Sequence, residues 1–446
     1  MNLIQRLHIR SYGALVLAFC CLARPQLYAA NAILAGIDRR IETHRTSAVE
    51  LRLRRSDGAV IAPNAAVHVE MTEHAFLFGA NLFRFDDIQN QSHQELYRQR
   101  FAELFNYATL PFYWEFYEQQ PDMTAELHRR TIAEWCRDRG IRCKGHPLVW
   151  VLEPPWVAQA PDGAARVFSR VRRESAALQG WVNYWDVVNE PVVGGTFAAE
   201  RNAMQLAKAY KTLGTTELIR QAFAAARTGN PHATLILNDF DTSRRFVNVA
   251  KEALAAGADI DAIGIQSHMH DGYWGAERLW NTCEQFRSLQ LPIHFTELTI
   301  LSGRLRLPSD SEHTPENNRW ASTREGEYRQ AAQVTELYRL LYSHPSVEAI
   351  TWWDFTDHAS WMLAPSGLLT KEMRPKPAYR ELKRLIRGAW WSRVDGMATA
   401  DGRFKLRGHH GKYQVRVRDA NGQTLVGDFT LARDTPADLI VKCIRE

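Results

Sequence analysis

Two glutamates, 107 positions apart, each lie at the end of a short apolar run: Glu190 in "YWDVVNEP" and Glu297 in "PIHFTEL". Asn189 stands beside the first, and Pro191 stops it. A buried-looking strand that ends in a carboxylate is an expensive arrangement unless the charge has a partner or a task. Either glutamate alone reads as half of a structural ion pair. Thr-Glu occurs four times in the chain, so only the position of "TEL" after an apolar strand carries weight. Two carboxylates facing each other across a ligand are what cleavage of a glycosidic bond requires. One attacks the anomeric carbon; the other protonates the leaving oxygen and later deprotonates water. The acid needs a raised pKa, and the charge of its partner supplies part of the shift.

Such a pair needs a scaffold that brings distant strand ends together. From residue 76 short apolar runs alternate with longer amphipathic stretches. The runs are "AFLFGAN", "LFNYATL", "IRCKGHPLVW", "NYWDVVNE", "ATLILNDF", "DAIGIQSH", "LPIHFTE" and "VEAITWWDF". Eight buried strands alternating with helices over roughly 310 residues predict an α/β fold, a (β/α)8 TIM barrel spanning residues 76–390. A doubly wound open sheet is the alternative, but no Gly-rich phosphate loop follows the first strand. Residues 46–75 read as an N-terminal β-hairpin extension around Asp57-Gly58, and 391–446 as a small C-terminal β module with turns at Asp401-Gly402 and Asn421-Gly422.

In a closed barrel the C-terminal strand ends converge on one mouth. Those ends carry Asn106, His146, Trp150, Asn189, Glu190, Asn238, Asp239, Gln266, His268, Glu297 and Trp353. The two glutamates belong to the fourth and seventh strands, on opposite sides of the barrel.

"KGHPLVW", "WDVVNE", "GIQSH", "FTEL", "ITWWDFTDHASW" and "RPKPAY", in this order, resemble glycoside hydrolase family 10, the retaining endo-β-1,4-xylanases. The resemblance covers roughly residues 76–387. It implies Glu190 as acid/base, Glu297 as nucleophile, and Asn189 as a hydrogen-bonding partner of the sugar 2-hydroxyl. It gives His146 and Trp150 to the same sugar, with Trp353 and Trp361 over its face. Gln266 and His268 would hydrogen-bond or orient the nucleophile, and Asn238, in the pair Asn238-Asp239, would support the acid/base. A polysaccharide substrate, a β-1,4-glycan such as xylan, is the implied partner, and neither cofactor nor metal is required.

Two departures stand out. Where the family carries a Glu-Asn pair and a Lys that hold the next sugar on the non-reducing side, this chain has "TLPFYW", residues 109–114. Pro111, Phe112 and Tyr113 bring no charge to that place. Where the family carries Thr-Glu-Leu-Asp, this chain has Thr299 in place of the Asp, which can accept a hydrogen bond but adds no negative charge beside His268. Alternative readings are a glycosidase or transglycosylase on another β-glycan, a non-catalytic sugar-binding barrel, and a metal hydrolase built on His268-Met269-His270.

Composition sets the remaining bounds. Arg6 and Arg10 precede "GALVLAFCCLA", and small residues follow at "YAANA", the order of a secretory signal over residues 1–30. That predicts a secreted or periplasmic protein; Cys20 and Cys21 sit in poor surroundings for a lipid anchor. Losing Arg6, Arg10 and Arg24 takes the formal charge from +5 to about +2, too little to favour nucleic acid or an anionic membrane. Cys136, Cys143, Cys283 and Cys443 would remain. They form no zinc-binding spacing, and buried thiols are favoured over a Cys136–Cys143 disulfide.

Overall fold

The computed structural model describes residues 30–160, 162–306, 320–418 and 422–446. The apolar run proposed as a secretory signal therefore falls almost wholly outside the described residues, as does Asn421 of the last turn.

The N-terminal strands are β1 (Thr46–Arg55) and β2 (Ala66–His74). The barrel strands follow as β3 (Leu77–Asn81), β4 (Tyr107–Pro111), β5 (Arg142–His146), β6 (Tyr184–Asn189), β7 (Thr234–Asp239) and β8 (Ala262–Ile265). After the two-residue β9 (His268–Met269) come β10 (Ile293–Ile300) and β11 (Val347–Trp352). Eight of these pair side by side in parallel, from β3 to β8 and on through β10 and β11, and β11 returns to β3. The barrel is closed, as the alternation predicted. Short β9 is hydrogen-bonded only to the outer end of β10, with His268 opposite Thr299.

The strands are near-continuous runs of buried residues because helices cover the outside. The helix Glu126–Arg137 shows the pattern, burying Ile132, Ala133 and Cys136 and leaving its charged face to water. Cys136, Cys143, Cys283 and Cys443 are all buried free thiols. Among the described residues no helix is long and apolar enough to cross a membrane.

After the barrel come β12 (Arg393–Met397), β13 (Arg403–His409), β14 (Gly411–Arg418), β15 (Thr424–Leu431) and β16 (Asp438–Arg445). They do not form a sheet of their own. Together with the two N-terminal strands they make one seven-stranded sheet, in the order β12-β2-β14-β15-β16-β1-β13. The N-terminal hairpin is thereby corrected. β1 pairs with β13 and β16, and β2 with β12 and β14. The Asp57-Gly58 turn is real, with Gly58 at φ +87°, but it closes only a small loop before the chain moves away. Long partners with alternating apolar faces outcompete the local pairing, because Val49, Leu51 and Leu53 share a separate apolar core with Phe404, Tyr413, Val415 and Val417.

Candidate active site

The two glutamates lie at one mouth of the barrel, both buried. Glu297 is within β10. Glu190 immediately follows β6 and has φ +58°, a left-handed backbone that costs a non-glycine residue roughly 1–2 kcal/mol. Its amide donates to Asn238 O at 2.8 Å, and Pro191 follows, so the chain leaves the strand sharply and the carboxylate turns inward. Strain of this kind persists where the surroundings enforce it.

Each carboxylate is held by named donors. Glu190 accepts from Trp150 Nε1 at 2.8 Å on one oxygen, and from Gln266 Nε2 at 2.9 Å and Asn189 Nδ2 at 3.2 Å on the other. Glu297 accepts from Asn238 Nδ2 at 2.7 Å, and its second oxygen is 3.2 Å from His268 Nε2. Asn238 also donates to Asn189 Oδ1 at 2.7 Å. The two carboxylates are thus joined through two adjacent amides, a fully connected network of the kind that rigidifies a buried site.

Several expectations are revised by this network. Gln266 holds Glu190, not the nucleophile candidate, and Asn238 holds Glu297, not the acid/base candidate. The Asn238 half of this arrangement rests on a bare position. Gly264, on the strand between β7 and β10, would place a Cβ 2.3 Å from Asn238 Oδ1, so its missing side chain is the corridor through which Asn238 reaches Glu297. Thr299 accepts from Met269 N–H at 3.0 Å and makes no bond to the His268 ring, whose buried Nδ1 has no hydrogen-bond partner among the described residues. Asn106 is not at the mouth. It precedes β4 at the opposite end, accepting from Phe78 N–H at 2.8 Å and donating to His74 O and Phe76 O.

His146 and its partners were only half legible. Its Nδ1 is 2.7 Å from Asp186 Oδ2 and 3.9 Å from Glu297 Oε1. Asp186 also meets Lys144 Nζ at 2.6 Å, and both are wholly buried. The alternation in "KGH" and "WDVVNE" puts these side chains on the inward face, the one sequence signal that could have found them. Asp239 accepts from Val192 and Asp241 amides rather than facing the mouth's centre, and burial raises its carboxyl to about 7.

Burial and neighbours split the two glutamates. Burial pushes the Glu190 carboxyl above its ordinary value, with the Glu297 charge adding to it, while the Gln266 and Trp150 bonds pull the other way. Burial also works upward on Glu297, but His146, His268 and Lys144 outweigh it and hold that carboxyl below its ordinary value. One group is poised to carry a proton and the other to stay ionised, which is how acid and base roles are separated in one cleft.

An aromatic ring frames the pair. Trp353 lies 5.2 Å from the His146 ring and 5.3 Å from Phe83, and Trp361 lies 4.6 Å from His268 and 5.0 Å from His270. Tyr113 is 5.5 Å from His146 and 5.4 Å from Trp150, and 6.1 Å from Phe83. Phe83 and Tyr113 thus form an apolar wall beyond β3 and β4. His270 faces Trp320 and Trp361, and burial lowers its ring to about 3. Among the described residues no group of three or more His, Cys, Asp or Glu side chains is arranged to hold a metal ion.

Comparison with known proteins agrees with the closed barrel. A family model described as glycosyl hydrolase family 10 matches residues 70–385. The anti-sigma-I factor RsgI6 of Acetivibrio thermocellus is 26% identical over 391 residues, covering 85% of this chain and 46% of that protein. Endo-1,4-β-xylanase A of Cellvibrio japonicus is 27% identical over 285 residues, covering 58% of this chain and 46% of that protein. The chain thus spans less than half the length of these curated relatives. Among solved structures, xylanase 10B of Thermotoga petrophila in complex with xylobiose superposes with a TM-score of 0.59 at 24% identity, over 71% of this chain and 95% of that one.

Proposed function

From the premise that the chain belongs to glycosyl hydrolase family 10, we propose that it is a retaining endo-β-1,4-glycanase acting on xylan, with Glu190 as acid/base and Glu297 as nucleophile. The observation that carries this reading is the pair of buried carboxylates, one just past β6 and one within β10, joined through Asn189 and Asn238 and pushed to opposite sides of the ordinary glutamate pKa. Glu297 attacks the anomeric carbon while protonated Glu190 delivers its proton to the leaving oxygen. The ionised Glu190 then takes a proton from water as the glycosyl-enzyme breaks down.

Asn238 and His268 keep a Glu297 oxygen aimed at the sugar, and Trp150 and Gln266 do the same for Glu190. Asn189, with one amide hydrogen left after bonding Glu190, is placed for the 2-hydroxyl. Trp353 and Trp361 cover the sugar face. The run "GALVLAFCCLA" supports export to the periplasm or the medium.

Trapping with a 2-fluoro-xyloside tests the reading. It should label Glu297, and hydrolysis followed by NMR should release the β-anomer first. An α-anomer product, or label on another residue, would overturn it. The apolar run at 109–114 favours a second reading, turnover of another β-glycan by the same pair, and one relative is named as an anti-sigma factor rather than as an enzyme. Rates on purified xylan, mixed-linkage glucan and aryl glycosides separate hydrolysis of xylan from both alternatives.

A further inference from the structure

The opposite end of the barrel holds a second cavity, of about 300 Å³. It opens where most of the barrel strands begin: Leu77, Arg142, Tyr184, Thr234 and Ala262, each the first residue of its strand, line it together with His294. Its roof comes from the seven-stranded sheet and the segment before it, through Arg45, His74 and His410.

The groups facing this space are donors left over from structural duties. Arg45 donates Nε to Tyr342 O and Nη2 to His344 O and Val347 O, which fixes the guanidinium, and Glu348 is the carboxylate that faces its charge. Arg142 gives Nη2 to the Glu73 carboxylate, and Glu73 also meets Lys412, so the region keeps a positive excess. His294 is 2% exposed, and its Nδ1 has no hydrogen-bond partner among the described residues. Behind it lies the buried Lys144–Asp186 pair. His410 Nε2 is matched to Ser47 Oγ at 3.0 Å and His74 to Tyr342 at 3.2 Å, so neither is left over. The lining contains a single carboxylate, Glu348, at the open edge of the cavity. Burial drives His294 to about 3, so its ring is neutral and offers one N–H. Arg45, Arg142 and Lys412 against Glu73 and Glu348 leave one positive charge, which with the imidazole N–H asks for an acceptor-rich, negatively charged guest.

We propose that this cavity is a binding site for a small oxyanion, the carboxylate or phosphate group of a molecule no larger than a monosaccharide, held by Arg45, Arg142 and His294. The site is separate from the catalytic mouth. Arg45 precedes β1 and Arg142 opens β5, so an anion between them would clamp the seven-stranded sheet to the barrel.

The test is a thermal-shift and calorimetric titration of the full chain at constant ionic strength with inorganic phosphate, D-glucuronate and D-glucose. Saturable binding of phosphate or glucuronate is expected, with no response to glucose; the tighter of the two anions identifies the source. Glu190→Gln should bind the anion unchanged, which keeps the mouth out of the result. Glu348→Gln removes the opposing charge and should tighten binding about threefold, the scale of an exposed ion interaction. His294→Leu loses a charge-assisted bond and should weaken binding about tenfold. If His294→Leu does not fold, Glu348→Gln and Glu348→Lys decide, both on the tight side of wild type. No saturable anion binding, an equal response to glucose, or affinities untouched by changes at Glu348 would overturn the proposal.

Discussion

The two sides of the catalytic mouth are built on different principles. From β5 round to β10 the polar side chains form one network: Asn189, Gln266, Asn238 and Trp150 bond to the glutamates or to one another. Beyond β3 and β4 the wall is Phe83 and Tyr113, rings in contact with rings. The first side can fix charges to within tenths of an ångström, which bond cleavage needs. The second offers mainly ring area, with the Tyr113 hydroxyl its one polar group, so it discriminates less sharply among sugars that differ in hydroxyl orientation. Under the proposed function, reaction chemistry and substrate recognition would therefore reside in separable parts of one cleft. On that reading, changes on the aromatic side would alter recognition without disturbing the proposed pair.

The widest break in that comparison comes from the polar side. Glu297→Ala should lower kcat by more than about 10⁴-fold on every substrate, because no other group replaces the nucleophile. Glu190→Ala should cost about 10²–10⁴-fold on xylan, much less on aryl glycosides with good leaving groups, and azide should restore part of the rate. Burst kinetics with a dinitrophenyl glycoside checks this: a slow second phase accelerated by azide is the expected signature. A loss equal on all leaving groups would contradict the acid role of Glu190.

A smaller break tests the corridor. Gly264→Ala puts a methyl 2.3 Å from Asn238 Oδ1, so the amide that joins Asn189 to Glu297 must move. A shift near 1 Å at such a site can cost about 10²-fold in kcat. Overpacking should also cost about 1–3 kcal/mol in stability, read by urea unfolding. On the aromatic side, Tyr113→Ala should leave kcat on a one-sugar aryl glycoside within about threefold, since the Tyr113 ring bonds neither glutamate. Its effect should appear in KM for longer oligosaccharides. Should Tyr113→Ala abolish turnover of the short substrate as Glu297→Ala does, the two sides are not separable.

How much of this could be read from the chain follows the range of the forces involved. The eight barrel strands were visible because burial on both faces writes a continuous apolar run, and both glutamates were visible because each interrupts one. Sequence also shows which strand end a side chain occupies, but not which neighbour it turns toward. Asn238 has room to reach Glu297 because Gly264, one strand away, is bare. The β1–β2 hairpin failed for the same reason in reverse: a local turn was legible, while pairing with strands more than 300 residues later was not. Asn106 looked like a strand end because "LFNYATL" is apolar on both sides of it, whereas the strand starts at Tyr107. The cavity under the barrel left no motif at all, being assembled from the first residues of separate strands.

The narrowest test lies where the polar side is incomplete. His268 Nε2 is 3.2 Å from Glu297, while its Nδ1 is buried without a partner, and Thr299, its neighbour across β9 and β10, spends its hydroxyl on Met269 N–H. Glu297 is still held below its ordinary pKa, chiefly against burial, by His146 first and His268 second. Thr299→Asp would set a hydrogen-bond acceptor beside the orphaned Nδ1 and so strengthen the donation from His268 Nε2 to Glu297. Glu297 must be ionised to attack, so a lower pKa there moves the acidic limb of kcat/KM to lower pH. The basic limb, set by Glu190 and lying above the ordinary glutamate value, should stay in place. Trp150→Phe should do the converse, removing a donor that favours ionised Glu190 and moving only the basic limb upward. An acidic limb unmoved by Asp at 299 would mean that His146, with Asp186 and Lys144 behind it, already sets the charge of the nucleophile. His268 would then serve only to aim it.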